Sequence, residues 1–469
     1  MNKTTKLLKN SLIFAIGNLG SKIIIFLIVP LYTYYLSTEE YGTVDLITVL
    51  VNLMLPLVTL SIFDAVFRYV MDKKIEKGKI LTNSFIIIIL GYFVLVLLYP
   101  LLTKLLPFDN YYVHLYILIF VQIINTTLMQ YVRAVGQVKV FALSGILNAL
   151  VLLISNIIFL VLLKNGLEGV LYSLILSFLV SNIYLFIKGK IYSVLNFSQI
   201  NVQLMKKMLA YSIPLIPNSL MWWIMNFSDR FIISMFLGLS ANGIFAVANK
   251  IPSLINILNS IFFQAWQMSA IDESKDKNSS DYYSTAFNYL SVVLVIFTSL
   301  LLINLKWLVD VLFSSAFYEA MYYIPFLLLG TVFASLSGFL GTNYIVAKKT
   351  MGVFKTSIIG ASINLILTLS FIPFWGLNGA AFATMVSFFT IFILRVFDTK
   401  RFIMIHYKIK KLMFLFTLIF IQIIIFYLDI NYQYVFQSVS LILIIFYSFE
   451  EVSVIMKVIY ATIKNKIVK

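Results

Sequence analysis

Cysteine is absent, and histidine occurs only twice, at His114 and His406. Disulfide frameworks, thiol redox chemistry and clustered Cys/His metal sites therefore cannot be the basis of this protein's chemistry. Charge is scarce as well. Charged residues make up 12% of the 469 residues, where a soluble domain carries about 25%. The longest polar stretches, near 188–207, 271–282 and 398–411, are loop-sized and leave no room for a water-soluble catalytic domain. Walker-type phosphate loops and paired catalytic carboxylates are missing too.

What fills the chain is apolar. Hydrophobic residues make up 61% of it, and they gather into fourteen stretches of about the 20 residues that a bilayer crossing requires. These lie near 11–36, 42–70, 81–103, 112–132, 140–163, 166–187, 208–237, 241–270, 283–305, 320–346, 354–374, 377–397, 412–428 and 433–456. The first follows a basic start but is too long for the short apolar core of a cleavable signal, so it reads as a retained helix. The net charge of +16 comes from loops. With the N-terminus cytoplasmic, the segments 3–9, 73–79, 133–139, 188–207, 275–277, 348–355, 400–411 and 457–469 hold 27 of the 35 Lys and Arg residues. Only Lys104, Lys164 and Lys306 fall in the alternate gaps. That asymmetry is the positive-inside pattern, with both termini cytoplasmic, and it survives only if each pair of basic loops brackets an even number of crossings. The charge thus serves orientation and anionic headgroups, not nucleic acid.

Segments far apart resemble each other in order. YVRAVGQVKVF (131–141) aligns with YIVAKKTMGVF (344–354), placing Tyr131, Ala134 and Phe141 on Tyr344, Ala347 and Phe354. GLEGVLYSLILS (166–177) aligns with GLNGAAFATMVS (376–387), and LSTEEYG (36–42) aligns with LGLSANG (237–243). The expected architecture is an all-α integral membrane protein of about 14 transmembrane helices. Two pseudo-equivalent six-helix lobes, 1–195 and 196–404, would be followed by two additional helices in 405–469, both lobes having the same orientation as parallel repeats.

Charged residues within apolar runs are costly, roughly 2.5–3.5 kcal/mol at a helix centre, and normally face a bundle interior or watery cavity. Lys22, Arg68, Arg230, Lys250 and, near a span end, Arg395 occupy such positions. Three polar stripes accompany them at helical spacing. The seventh span carries Ser219, Trp223, Asn226, Arg230 and Ser234; the eighth carries Asn249, Ser253, Asn256, Ser260 and Gln264; the second carries Asp45, Thr48 and Asn52, followed by Pro56. A lone Asn reads best as interhelical glue, whereas three stripes with five cations point to a hydrated cavity. Asp64 precedes Arg68 by four residues, a favourable order for a helical ion pair. Asp229 adjoins Arg230 about 100° round the helix, so separate partners are expected for the two.

The N-terminal KNSLIFAIGNLGSKIIIFLIVPLYTYYLSTEEYG, the NFSDRFIISMFLG and GIFAVANKI of the seventh and eighth spans, and AKKTMGVFKTSIIGASINLILTL resemble the Wzx-type polysaccharide repeat-unit flippases. That branch belongs to the multidrug/oligosaccharidyl-lipid/polysaccharide exporter superfamily. The resemblance implies two lobes around a central cavity in the bacterial plasma membrane, moving an undecaprenyl-pyrophosphate-linked oligosaccharide by alternating access, with no enzymatic step and no cofactor or metal. Lys22, Arg68, Arg230 and Lys250 would then engage the pyrophosphate, and Asn226, Asn249, Asn256 and Gln264 the sugars. Asp45 and Asp229 are candidate ion-coupling carboxylates, an ion gradient or the membrane potential supplying the energy. The partners implied are the lipid-linked oligosaccharide, the bilayer and a polysaccharide polymerase. A multidrug extruder of the same superfamily and a nontransporting partner of a glycan polymerase are the alternatives; five embedded bases against Asp45, Asp64 and Asp229 favour an anionic cargo.

Reporter fusions after Lys79, Lys190, Lys275 and Lys411 should all read as cytoplasmic. An exterior signal at any one would break the alternation and remove a crossing.

Overall fold

In the computed structural model the described residues are 3–72, 75–105, 108–273, 279–347, 349, 351–454 and 457, and every regular element among them is a helix. The chain divides into two compact units, Met1–Ala246 and Val247–Lys469. The first contains α1 (Lys3–Tyr35), α2 (Thr38–Val58), α3 (Ile62–Met71), α4 (Lys77–Leu97), α5 (Tyr99–Leu105), α6 (Tyr112–Ala134), α7 (Val138–Asn156), α8 (Gly166–Lys188), α9 (Val202–Ser212) and most of α10 (Ile216–Ala248). The second contains α11 (Ser253–Glu273), α12 (Ser279–Ile303), α13 (Leu305–Leu312), α14 (Ile324–Val346), α15 (Met351–Asp398), α16 (Ile409–Leu428) and α17 (Gln433–Tyr447).

Ten helical stretches among the described residues are long and apolar enough to cross a membrane, and Leu19–Tyr35 and Gln433–Tyr447 are shorter apolar helices. The protein is a multi-pass membrane protein. Its outer surface agrees: Phe374, Met235 and Phe446 are 89%, 83% and 77% exposed, an arrangement stable only against lipid. Two of the ten stretches, Val202–Ala248 and Met351–Arg401, are far longer than one crossing needs. Each contains a break at a glycine in the left-handed half of φ space. Gly238 (φ 87°) interrupts α10 and Gly376 (φ 56°) interrupts α15. At Gly376 the chain doubles back, since the Asn364 amide donates to Thr384 Oγ1 at 3.4 Å and a Cβ on Gly379 would meet the Phe371 backbone at 2.7 Å.

The aligned sequence segments share backbone geometry. Gly166 (φ 53°) matches Gly376 (φ 56°), and Gly169, three residues later, presses on the Phe159 carbonyl as Gly379 presses on Phe371. Both GLxG motifs thus solve one problem, a sharp entry into a helix lying close against the preceding one.

Two expected spans are divided. The second breaks after Pro56: α2 ends at Val58, Leu60 and Ser61 take positive φ, and α3 restarts at Ile62. Pro56 lies inside α2, and the ladder ends beyond it, where the Ser61 N–H donates to the Pro56 carbonyl at 3.0 Å and the two left-handed residues turn the chain. The eighth breaks at 249–252, where Pro252 disfavours helical geometry at Ile251 before α11 begins at Ser253. Asn249 and Lys250 therefore lie in a turn, out of helical register with Asn256. The start of α2 is well defined, because the Ser37 hydroxyl accepts the Glu40 N–H while the Glu40 carboxylate accepts the Ser37 N–H.

Buried polar groups hold the helices together. The Asn125 amide donates to Ser181 Oγ (2.8 Å) and Asn182 Oδ1 (2.9 Å), Ser181 pairs with Ser144 (2.8 Å), and Asn182 donates to the Val121 carbonyl (2.9 Å), linking α6, α7 and α8. Where α4 crosses α2, a Cβ on Gly91 would lie 1.9 Å from the Val58 carbonyl oxygen. Gly91→Val should push these helices apart and cost about 1–3 kcal/mol by overpacking, read as earlier thermal unfolding of the detergent-solubilised protein; unchanged unfolding would contradict the contact.

Candidate functional site

Within the first unit, α2 and α10 meet along one face of each. Arg230 Nε lies 3.1 Å from Asp45 Oδ2, and Arg230 Nη1 lies 3.8 Å from Asp229 Oδ1. The guanidinium rests 4.8 Å from the centre of the Phe245 ring, a cation–π position. One turn along, the Trp223 indole N–H donates to the Val49 carbonyl at 2.9 Å. The helical spacings of Asp45 and Val49 on α2, and of Arg230 and Trp223 on α10, align these contacts in successive layers.

The cluster is unusual in its electrostatics. Two carboxylates face one guanidinium, and Arg230 and Asp229 are only 5% and 7% exposed. Arg230 Nε and Nη1, Asp45 Oδ2 and Asp229 Oδ1 are buried without hydrogen-bond alignment, so the attraction is coulombic and lacks the forked bonding that makes Arg–carboxylate pairs strong. Asp229 and Arg230 were expected to find separate partners. Instead the arginine side chain, long enough to reach back past its own backbone, lies between both carboxylates.

The remaining sequence candidates separate. Asn226, one turn from Arg230, is exposed and donates to the Trp222 carbonyl at 2.7 Å. Lys22 is half-buried on α1 and, among the described residues, has neither a hydrogen bond nor an ion pair. Arg68 is exposed on α3, and the expected pair with Asp64 does not form. Of the second stripe, Thr48 turns back onto the Val44 carbonyl (2.7 Å), while Asn52 accepts from Gln122 (3.4 Å). In the second unit, Asn249 and Lys250 are half-buried and Asn256 is exposed; the Gln264 side chain lies outside the described residues. Among the described residues no three His, Asp or Glu groups converge as a metal site.

Arg395 has a different role. It is 3% exposed and donates through Nε to Thr356 Oγ1 (3.0 Å), Nη1 to the Ser337 carbonyl (2.8 Å) and Nη2 to Ser357 Oγ (3.3 Å). Gly341 leaves space for it, since a Cβ there would lie 2.9 Å from Nη1. A guanidinium so completely engaged by neutral groups is a fixed strut of the second unit. Phe245 was not legible as a site residue, because an aromatic in an apolar run carries no signal until Arg230 is placed over it.

The sequence profile of the polysaccharide biosynthesis protein family matches residues 7–267, more than half of the chain. The chain belongs to that family. No curated protein matches it by sequence. Its fold is that of known membrane flippases and exporters: a structure of lipid II flippase MurJ in an inward closed conformation superposes with TM-score 0.71 over 95% of this chain and 100% of that one, at 17% identity. An inward-facing multidrug resistance MATE family transporter of the MOP superfamily gives 0.65 over 86% of this chain and 99% of that one, at 14% identity. A variant of the MATE transporter VcmN from Vibrio cholerae gives 0.61 over 85% and 96%, at 12% identity.

Removing Arg230 from this family member should hurt more than removing either carboxylate, since it leaves two buried like charges. Arg230→Gln is expected to cost about 3–5 kcal/mol and Asp45→Asn less, with the double variant more stable than the sum of the two losses predicts. Additive losses in thermal unfolding would show that Asp45 and Arg230 do not interact.

Proposed function

We propose that this protein is a flippase that moves a polyprenyl-pyrophosphate-linked oligosaccharide across the bacterial plasma membrane by alternating access, for polysaccharide biosynthesis. The observation that carries this reading is Arg230: a guanidinium held on a membrane-embedded face, with an exposed amide one turn away at Asn226, in a member of the polysaccharide biosynthesis family. A pyrophosphate must cross a medium that cannot solvate it, and fixed cations compensate for its lost hydration. Arg230 offers a planar fork to phosphate oxygens, and Lys22 and Arg68 act as further positive charges. Asn226 suits sugar hydroxyls. The same roles are assigned to Lys250 for phosphate and to Asn249, Asn256 and Gln264 for sugars. The lobes are taken as 1–195 and 196–404, with 405–469 as an appended pair and both termini cytoplasmic.

Asp45 and Asp229 serve as coupling groups. With both ionised, the cluster they form with Arg230 carries one net negative charge, which opposes an incoming phosphate. A proton on either carboxylate removes that charge and frees the guanidinium for the cargo; its later loss ejects the anion. A multidrug extruder is the second reading, favoured by the excess of carboxylate over guanidinium within this one cluster.

Lys22→Gln and Arg230→Gln should abolish surface polysaccharide and cause the lipid-linked unit to accumulate on the cytoplasmic side, with Lys22→Gln at normal membrane levels of the protein. Among the described residues Lys22 has no partner to strand, so its variant separates transport from stability. Arg230→Lys should restore export only in part, because the fork is lost. Normal surface glycan in both Gln variants, or drug sensitivity as the sole defect, would favour the extruder.

A further inference from the structure

In the first unit a cavity of about 490 Å³ opens along α4. Its floor is buried, formed by Val58 at the end of α2 and by Ile87 and Leu95 on α4, whereas Leu57, Leu90, Val94 and Leu98 form exposed rims. The described lining consists of Leu, Ile, Val and Met side chains and Gly91. Local backbone makes the space. Gly91 lets α4 sit directly on the Val58 carbonyl, and just beyond Val58 the left-handed turn at Leu60 and Ser61 parts α3 from α2. On the far side of that turn α9 docks on α3, where the Tyr69 hydroxyl donates to the Lys207 carbonyl at 3.1 Å, and Leu209 enters the lining from there.

The length of the cavity limits what can fill it. Ile87 on α4 and Leu102 on α5 both line it. The helical ladder carries across the junction, since the Leu98 N–H donates to the Val94 carbonyl at 3.1 Å and the Leu102 N–H to the Leu98 carbonyl at 3.0 Å. At 1.5 Å per residue these two positions lie about 22 Å apart. One leaflet of the hydrocarbon core is about 15 Å deep, half of about 30 Å, so an apolar groove of that length crosses the midplane. A phospholipid chain stops there, and the remaining wall would lose its dispersion contacts. Burial alone selects nothing, because lipid tails are as apolar as leucine. Length and shape are left to discriminate, and one unbroken chain longer than a leaflet fits both. Charge at one mouth suits an anionic end for that chain: Arg68 on α3 and Lys206 and Lys207 on α9 are exposed beside the Tyr69–Lys207 bond.

We propose that this groove seats the isoprenoid chain of a polyprenyl phosphate lipid and selects chains long enough to cross the midplane. The inference rests on the flippase reading and adds to it a place for the lipid part of the cargo, on α2, α4, α5 and α9, whereas Arg230 was assigned the headgroup. A chain seated across both leaflets need not leave the protein when its headgroup changes sides. It slides along a wall that is apolar at every level.

Photocrosslinking in the full chain tests this. A benzophenone side chain at Val94, in phospholipid nanodiscs carrying undecaprenyl phosphate, should give an isoprenoid adduct about tenfold more abundant than the same side chain at Ile442, an exposed position on α17. Unlabelled undecaprenyl phosphate should compete for the adduct. Farnesyl phosphate, whose chain does not pass the midplane, should compete poorly. Leu90→Trp fills the groove from its exposed rim, so it should remove the adduct while thermal unfolding stays unchanged. Phospholipid adducts alone at Val94, equal competition by the two phosphates, or a full adduct in the Leu90→Trp protein would each overturn the proposal. The flippase reading is scored separately. A length-selective undecaprenyl adduct with normal surface polysaccharide in Lys22→Gln keeps the groove and discards the cargo assignment; polysaccharide lost in Lys22→Gln with no isoprenoid adduct at Val94 discards the groove alone.

Discussion

Hydrocarbon cannot hydrogen-bond, and nearly everything in this fold answers to that constraint. It forces the backbone into helices and sends most charges to the loops. It also makes each remaining polar group identifiable by what satisfies it. Hydroxyls bond back to their own helix, as Ser84, Thr127 and Ser387 do to carbonyls four residues earlier. Amides bridge neighbouring helices, as Asn125 and Asn182 do. A group that does neither fully, such as the Arg230 cluster, needs a reason beyond stability.

The two buried guanidiniums make the comparison sharp. Arg395 and Arg230 are equally removed from solvent and bear similar desolvation costs. Arg395 is met by three aligned neutral acceptors and, among the described residues, by no carboxylate within an ion-pair distance, so its position is single-valued. Arg230 is met by two carboxylates and an aromatic face without an aligned hydrogen bond. Coulombic attraction falls gently with distance and direction, whereas hydrogen bonds fail abruptly. An arginine held by charge alone tolerates displacement; one held by three directed bonds does not. The first environment suits a moving part and the second a strut.

Much of this was legible in the sequence because membranes penalise misplaced charge so heavily. The apolar stretches, the basic loops and the embedded Arg230 and Asp45 follow from counting. The aligned GLxG motifs were read as a sign of duplication, and the shared positive-φ turn at Gly166 and Gly376 appears only in the backbone. What stayed hidden depends on distances no spacing encodes. Helical periodicity put Asn249 on one face with Asn256, and only the turn before Pro252 separates them. The reach of the Arg230 side chain, not its angular position, brings Asp229 into its field. Gly42 and Gly243 were noticed as matching letters, but a match cannot say that the copies touch.

The ion cluster and the close approach of Gly42 to Gly243, where a Cβ on either would meet the opposing backbone, lie on the same two helices, since Asp45 follows Gly42 by a single turn of α2 and Arg230 lies on the helix whose far end carries Gly243. A phosphate that captures Arg230 must compete with Asp45. As it succeeds, the ion-pair layer between α2 and α10 loses its attraction, and the glycine approach keeps only the Asn242–Gly42 and Thr38–Ser240 polar contacts and close backbone packing. Binding would thus weaken the α2–α10 contact in proportion to how much better the cargo anion binds the parted state than the joined one, the only lever any ligand has on a conformational equilibrium.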